Sequence, residues 1–184
     1  MRYILPLVFV ASPVWAQGFT TELVGDFTGD GIPDLARLIE AGDTGEADLL
    51  IRLNGDPKDM WVERAVWIGG VGQQPSLNLT PGGSLQVISE NIAIGRNRWE
   101  QVITLAWRKD QLMIAGYTYR WYDTLDLENS GICDLNFLSG NGEIATGGNG
   151  GVDEQRAWIK LRTESRPYFV WLYDMPEECA ALFH

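Results

Sequence analysis

Histidine is almost absent from this sequence: the only one among 184 residues is His184, at the last position. Because chain ends fray, this imidazole is a poor component for an organised catalytic site. Its isolation argues against a Ser-His-Asp triad, a Cys-His pair and a histidine-rich zinc site. The sequence also has no Gly-x-Ser-x-Gly elbow. We therefore expect no enzyme of these classes.

Basic residues are scarce as well. Lys and Arg total 14 against 25 Asp and Glu, which gives a formal net charge of −11 at pH 7. A surface of this sign repels phosphate backbones and anionic lipid headgroups. We expect no nucleic-acid partner and no membrane-surface partner, and we expect metal cations or cationic partners instead.

Long hydrophobic runs are also missing, and the apolar run at residues 4–10 is too short to span a bilayer. It follows Arg2 and precedes Val14 and Ala16, which stand at the −3 and −1 sites of a secretory cleavage pattern. We predict a signal peptide at residues 1–16 and a periplasmic or secreted bacterial protein. After cleavage we expect no membrane insertion, and we expect a monomer.

Cysteine is limited to Cys133 and Cys179. In an exported protein a small even number of cysteines favours one disulfide, the alternative being two buried free thiols. The bridge would close a loop of about 46 residues, worth roughly 4 kcal/mol in the chain-entropy view. Neither cysteine has a histidine nearby in sequence, so a cysteine nucleophile is not expected.

The pattern that is present is mainly β. Period-two segments separated by turn residues predict strands, and no long 3.6-residue period predicts helix beyond a short turn at residues 176–182. The glycine-rich residues 69–75 divide an N-terminal region, 17–68, from a β domain, 69–184. The clearest predicted strands are residues 34–40, 47–54, 60–68, 84–89, 99–108 and 111–122.

The predicted hairpin at residues 99–122 is rich in aromatic side chains. Its second strand alternates so that one face would carry Met113, Ala115, Tyr117, Tyr119 and Trp121. Such residues either form a platform on which sugars stack or fill the interior of a twisted sheet. Further along, the Gly- and Asn-rich residues 139–151 predict a mobile loop.

An Asp-rich segment, Gly-Asp-Phe-Thr-Gly-Asp-Gly-Ile-Pro-Asp-Leu at residues 25–35, is the strongest local motif. Oxygen-bearing side chains at offsets 1, 3, 5 and 9, with a glycine at the turn, suit a calcium loop. An EF-hand would need a bidentate Glu where Arg37 stands, so a helix–loop–helix hand is not expected. The alternative is a plain turn whose aspartates bond to backbone amides. The four side chains are Asp26, Thr28, Asp30 and Asp34.

Residues 23–55 resemble one FG-GAP or VCBS repeat, through this loop and the following Leu-x-x-Leu-Asn-Gly strand end. The resemblance implies Ca²⁺ bound by Asp26, Thr28, Asp30, Asp34 and the carbonyl of Ile32. The loop occurs once, so we predict an FG-GAP-like hairpin with a small antiparallel β-sheet domain, and not a complete propeller. Residues 83–142 are similar to a group of exported bacterial β proteins, which implies an architecture and no reaction.

From these features we expect an exported, non-enzymatic, calcium-stabilised binding or structural module with a protein or glycan partner. The alternative is a secreted carbohydrate-active hydrolase that uses paired carboxylates. A cleft holding two carboxylates, one with a raised pKa, would favour the hydrolase, and a flat or filled sheet would favour the module. The candidate carboxylates are Asp123, Asp126, Glu128 and Asp134.

Overall fold

Two antiparallel β-sheets make up most of the described chain. The structure is a computed structural model that describes residues 18–55, 59–70, 72–147, 155–161, 166–167 and 175–183. The predicted signal peptide at residues 1–16 lies outside these ranges. Within them, no helix has the length and apolar character needed to cross a membrane.

The first sheet has four strands in the order β1-β2-β3-β4. The predicted strands in this region are confirmed, and β2 shows the expected alternation, with Ala36 and Leu38 fully buried. A 3-10 turn at Gly42–Thr44 joins β2 to β3. The strands are β1 (Thr20–Gly25), β2 (Asp34–Glu40), β3 (Glu46–Arg52) and β4 (Met60–Trp67).

The second sheet has eight strands, with β11-β10-β9-β8-β7-β6-β5 in order and β12 paired to β8. The turn between β7 and β8 has positive φ angles at Lys109 (54°) and Asp110 (60°), which is typical of a two-residue hairpin turn. The strands are β5 (Ser76–Leu79), β6 (Leu85–Asn91), β7 (Asn97–Arg108), β8 (Gln111–Asp123), β9 (Asp126–Asn136), β10 (Asn141–Thr146), β11 (Gln155–Lys160) and β12 (Arg166–Pro167).

One hydrophobic core spans both sheets. Leu38, Leu49 and Ile51 of the first sheet join Leu85 and Leu105 of the second in a single buried cluster. The hydroxyl of Ser89 on β6 donates to the carbonyl of Trp67 (2.5 Å), at the end of β4, and links the two sheets. The prediction of a mainly β, antiparallel fold without a complete propeller is confirmed, since the described residues form neither a closed barrel nor a propeller.

The predicted loop at residues 139–151 is wrong over Asn141–Thr146, which forms β10 between β9 and β11. Gly142 explains why the pattern misleads. A Cβ added there would lie 2.8 Å from Leu135 Cδ2 and 2.9 Å from Ile159 Cγ1, so neighbouring side chains fill its place in the core face. In the sequence, glycine at this position predicts a loop. In the structure, it allows close packing inside a strand.

The alternation predicted for β8 is also wrong over part of its length. Thr104 pairs with Gly116 while Leu105 pairs with Ile114, so Ala115 is an extra residue in a β-bulge. The bulge exchanges the two faces of the strand at this point. As a result, Leu112 and Ile114 belong to the same core cluster as Tyr117, whereas Met113, although 2% exposed, lies outside that cluster.

A short C-terminal helix closes the described chain. Helix α1 (Glu177–Ala180) follows Pro176 and continues as a 3-10 turn, Ala181–Phe183. Its Cys179 is fully buried, which confirms the predicted short helical turn carrying this cysteine. The helix therefore packs against the second sheet at the position of Cys133.

Candidate functional site

The Asp-rich segment forms the connection between β1 and β2, and Asp34 is its anchor. Asp34 is only 2% exposed and begins β2. Its Oδ2 accepts the backbone N–H of Phe27 (2.8 Å) and Thr28 (3.2 Å), and its Oδ1 accepts the N–H of Asn54 (2.9 Å). One carboxylate thus ties the start of the loop to the end of the strand pair, satisfying backbone donors that burial would leave without water.

Asp26 organises the outer part of the same loop. Its Oδ1 accepts the N–H of Gly29 (2.6 Å) and Asp30 (3.2 Å), and its Oδ2 accepts the N–H of Gly31 (2.9 Å). These donors, the Gly31 N–H above all, hold the pKa of Asp26 below its ordinary value. Gly29 and Gly31 have φ angles of 81° and 86°, which side-chain-bearing residues rarely adopt.

The loop lies at the junction of the two sheets. Phe27, at its start, is 3% exposed and belongs to the shared core. A Cβ at Gly25 would lie 2.8 Å from Leu79 of β5, and one at Gly83 would lie 3.4 Å from the carbonyl oxygen of Asp26. The conformation of this loop therefore affects the packing of the first sheet against the β5–β6 hairpin of the second sheet.

The predicted ligands are of the type that Ca²⁺ prefers, because all are hard oxygen donors at alternating positions in the sequence. In this conformation, however, the carboxylates serve backbone amides, with Asp30 Oδ1 accepting the N–H of Ile32 (2.7 Å). Among the described residues, no three His, Cys, Asp or Glu side chains are gathered to hold a metal ion. A carboxylate has about four lone-pair sites, so an amide bond does not prevent metal coordination. The residues that would hold Ca²⁺ are Asp26, Thr28, Asp30 and Asp34, with the carbonyl of Ile32.

The aromatic hairpin forms a stacked row across β7 and β8. Trp99 and Tyr119 have ring centroids 6.3 Å apart with planes at 18°, and Tyr119 and Trp121 are 6.0 Å apart at 25°. Phe183 contacts the row edge-on, at 5.8 Å from Tyr119 and 4.9 Å from Trp121. Burial raises the pKa of Tyr119 to about 12. The three rings are partly buried, and Tyr119 packs against the core that contains the 2%-exposed Tyr117.

The disulfide predicted between Cys133 and Cys179 is present, with a Cα–Cα distance of 5.6 Å. Both residues are fully buried. The bridge joins β9 to α1 and thereby holds the segment that carries Phe183 against Tyr119 and Trp121. The sequence predicts this disulfide. It does not indicate that the disulfide places Phe183 against Tyr119 and Trp121.

Asp134 is separated from Asp123 and Asp126, which face each other across the β8–β9 hairpin. Asp134 pairs with Thr118 in the β8–β9 register, whereas Asp126 pairs with Asp123 at the hairpin end. Thr118 and Asp123 are five residues apart on one strand, about 16 Å at a rise of about 3.3 Å per residue. This exceeds the spacing of about 5–10 Å that a glycosidase pair needs.

Asp123 has the opposite electrostatics from a proton donor. It is 3% exposed, and its Oδ2 accepts the Arg96 Nε–H at 2.7 Å. The Arg96 guanidinium and the N–H of Leu125 lower the pKa of Asp123, so this carboxyl stays ionised at neutral pH. A general acid would need the reverse shift.

A polar cleft on the outward face of the second sheet was not predicted. It has a volume of about 470 Å³ and extends from β7 to Trp158 of β11. Trp158 is 74% exposed. The sequence contained a usable indication, since Trp158 stands between Arg156 and Lys160 in a charged alternating strand. The polar side chains lining the cleft are Thr104, Thr118, Asp134, Asn136, Asn141 and Glu143.

A separate cavity of about 370 Å³ lies beside the aromatic row, lined by Trp99, Trp121 and Tyr122. An ion pair between Arg120 and Glu100 (2.8 Å) borders it.

The chain was compared with protein-family models, with curated proteins and with solved structures, and it matches none of them. The likeness of residues 23–55 to an FG-GAP repeat therefore stays a prediction.

Proposed function

We propose that this protein is an exported, non-enzymatic binding module whose loop between β1 and β2 is a structural calcium clamp. The observation that carries the proposal is the position of Asp34. This buried carboxylate collects three backbone amides from two parts of the first sheet, in a loop that packs against the second sheet. A cation at this loop would stabilise the joint between the sheets.

Bound calcium would supply positive charge that offsets the carboxylates of Asp26, Asp30 and Asp34. Two aspartates already shape the loop through backbone amides, so much of the ordering that a cation requires exists without it. Asp30 is the exposed member of the set and would adjust its side chain most easily. This assigns the ion a structural role in the module and not a role in a reaction.

The disulfide supports the export part of the proposal. Disulfides persist in oxidising compartments such as the bacterial periplasm and the exterior of the cell. The buried bridge between Cys133 and Cys179 is therefore consistent with a signal peptide at residues 1–16. The ionised Asp123 and the distance of Asp134 from Asp123 and Asp126 favour a binding module over a hydrolase.

Isothermal titration of the mature protein with Ca²⁺ tests the calcium proposal. We expect one site per chain in the wild type and at least about tenfold weaker binding in Asp30→Asn, which removes one charged ligand. Asp43→Asn is the matched control, because Asp43 is exposed in the 3-10 turn at the opposite end of β2 and is outside the ligand set. Absence of calcium binding by the wild type, or equal weakening by both variants, would contradict the proposal.

A further inference from the structure

The outward face of the second sheet carries two adjacent rows of polar side chains. One row runs Thr118, Asp134, Glu143 and Trp158 across β8 to β11. The next row runs Thr104, Gly116, Asn136, Asn141 and Lys160 across β7 to β11. The opposite face of the same strands is core, as the 1%-exposed Leu135 shows. The rows therefore face solvent, and the cleft lies along them.

Gly116 makes the floor of this cleft low. It is the one residue without a side chain in a row of longer residues. A Cβ there would lie 3.2 Å from the carbonyl oxygen of Leu135 and 3.6 Å from Thr104 Cβ. The Leu138–Ser139 turn and Trp158 border the depression. Its volume of about 470 Å³ falls in the range of about 300–1,000 Å³ that small-ligand sites occupy.

Trp158 supplies a flat apolar surface at one side of the cleft. It is 74% exposed, more than Trp61 (48%) or Trp67 (52%) on the other sheet. An indole exposed on a strand costs solvation free energy that a bound ligand would recover. The C–H faces of a pyranose ring fit such a surface, and the sugar hydroxyls then point to the polar floor.

The polar groups beside Trp158 are held in fixed orientations. Asn136 Oδ1 accepts the N–H of Leu138 (3.1 Å) and of Ser139 (2.9 Å), which fixes its amide and leaves the NH₂ group as a donor. Asn141 Oδ1 accepts Lys160 Nζ–H (2.6 Å) in the same way. Asp134 Oδ1 accepts the hydroxyl of Thr118 (2.9 Å), and its second oxygen can accept from a ligand. Oriented amide donors beside a carboxylate acceptor suit a pair of neighbouring hydroxyls.

The charges in and beside the cleft balance, although the whole protein is strongly acidic. Asp134 and Glu143 contribute two negative charges, and Lys160 and Arg156 contribute two positive charges on the adjoining strand. Glu143 and Arg156 form an ion pair. A balanced site within a chain of net charge −11 favours a neutral ligand rather than a polyanion or a cationic peptide.

We infer that this cleft binds a neutral glycan, with a pyranose ring on Trp158 and hydroxyls bonded to Asn136, Asn141 and Asp134. The inference rests on the proposed function of a non-enzymatic binding module and names its ligand class. A protein partner is less favoured, because interface centres are poor in charged residues and the two rows of this cleft hold three, Asp134, Glu143 and Lys160.

Affinity electrophoresis tests the inference. The mature protein migrates in native gels at pH 8 because of its negative charge, and the gels contain amylopectin, mixed-linkage β-glucan, arabinoxylan or, as a polypeptide matrix, gelatin. We expect at least one neutral polysaccharide to retard the wild type. Trp158→Ala should weaken that retardation about tenfold or more. Asn141→Ala, which leaves the indole in place, should weaken it at least about threefold.

Trp61→Ala is the matched control, because Trp61 is an exposed tryptophan on β4 of the other sheet, and it should bind as the wild type does. The inference is overturned if no polysaccharide retards the wild type, if gelatin alone does, or if Trp158→Ala binds normally. Thermal melts establish that each variant is folded. Two other results would contradict the proposed function and not the glycan site. One is release of reducing sugar from the retarding polysaccharide, and the other is lack of calcium binding in the titration.

Discussion

At the scale of single residues, ionised carboxylates hold together the connections that define this protein. Asp34 collects three backbone amides, Asp26 collects three more, and Asp123 joins Arg96 at the end of the β8–β9 hairpin. The sequence indicated Asp26 and Asp34 as important through their spacing. It did not indicate that Asn54 is a partner of Asp34 or that Arg96 is the partner of Asp123, because those contacts depend on strand register and on how two hairpin ends meet.

The ion pair of Asp123 predicts an acid dependence of stability. Because the folded-state pKa of Asp123 lies below the ordinary value of about 3.9, the pair stabilises the fold above that pH. This contribution is lost as pH falls through the folded-state pKa. We expect Asp123→Asn to unfold at lower urea than the wild type at pH 7, and the gap to shrink below pH 4.

Urea midpoints measured from pH 7 to about pH 2.5 follow this gap. Glu128→Gln removes an equal charge from an exposed neighbour on β9 and serves as the control, with a small and steady difference from the wild type. A gap between Asp123→Asn and the wild type that stays constant across this range would show that the ion pair contributes nothing.

At the scale of elements, most strands follow from period-two patterns, and the exceptions come from glycine and from a bulge. The predicted strands 34–40 and 111–122 are present with nearly the predicted ends. The strand β10 was missed because Gly142 removes an apolar residue from its pattern. Ala115 exchanged the faces of β8, since a single extra residue shifts a two-residue period and only the partner strand shows it.

The disulfide acts at this scale by fixing α1 to β9. The Cys133→Ser/Cys179→Ser double variant should lose at most about 4 kcal/mol of stability from the loop of about 46 residues. Because Phe183 lies four residues after Cys179, in the turn that continues α1, the variant should also show altered near-ultraviolet circular dichroism from Tyr119 and Trp121. Urea unfolding of both proteins, with and without dithiothreitol, provides the measurement.

Dithiothreitol gives an internal control for that comparison. It should lower the stability of the wild type toward that of the serine variant and leave the variant unchanged. Equal urea midpoints for the oxidised wild type and the variant would contradict a stabilising role for the bridge.

At the scale of the whole molecule, one core under two sheets couples the Asp-rich loop to the rest of the protein. Phe27 enters that core, and the loop packs on Leu79 and Gly83 of the second sheet. The mainly β class followed from composition and pattern. The cleft beside Trp158 did not, because it assembles from five strands whose order in the sheet is not written in local periodicity.

We propose that a cation at this loop stabilises the joint between the sheets. The most direct test is the thermal midpoint of the mature protein, residues 17–184, in millimolar Ca²⁺ and in EGTA. Calcium at about 100 times its dissociation constant adds about 2.7 kcal/mol of stability, equivalent to roughly 5–10 °C for a chain of this size. We expect the thermal midpoint to be higher by about this amount in Ca²⁺ than in EGTA. Identical midpoints in Ca²⁺ and in EGTA would contradict it.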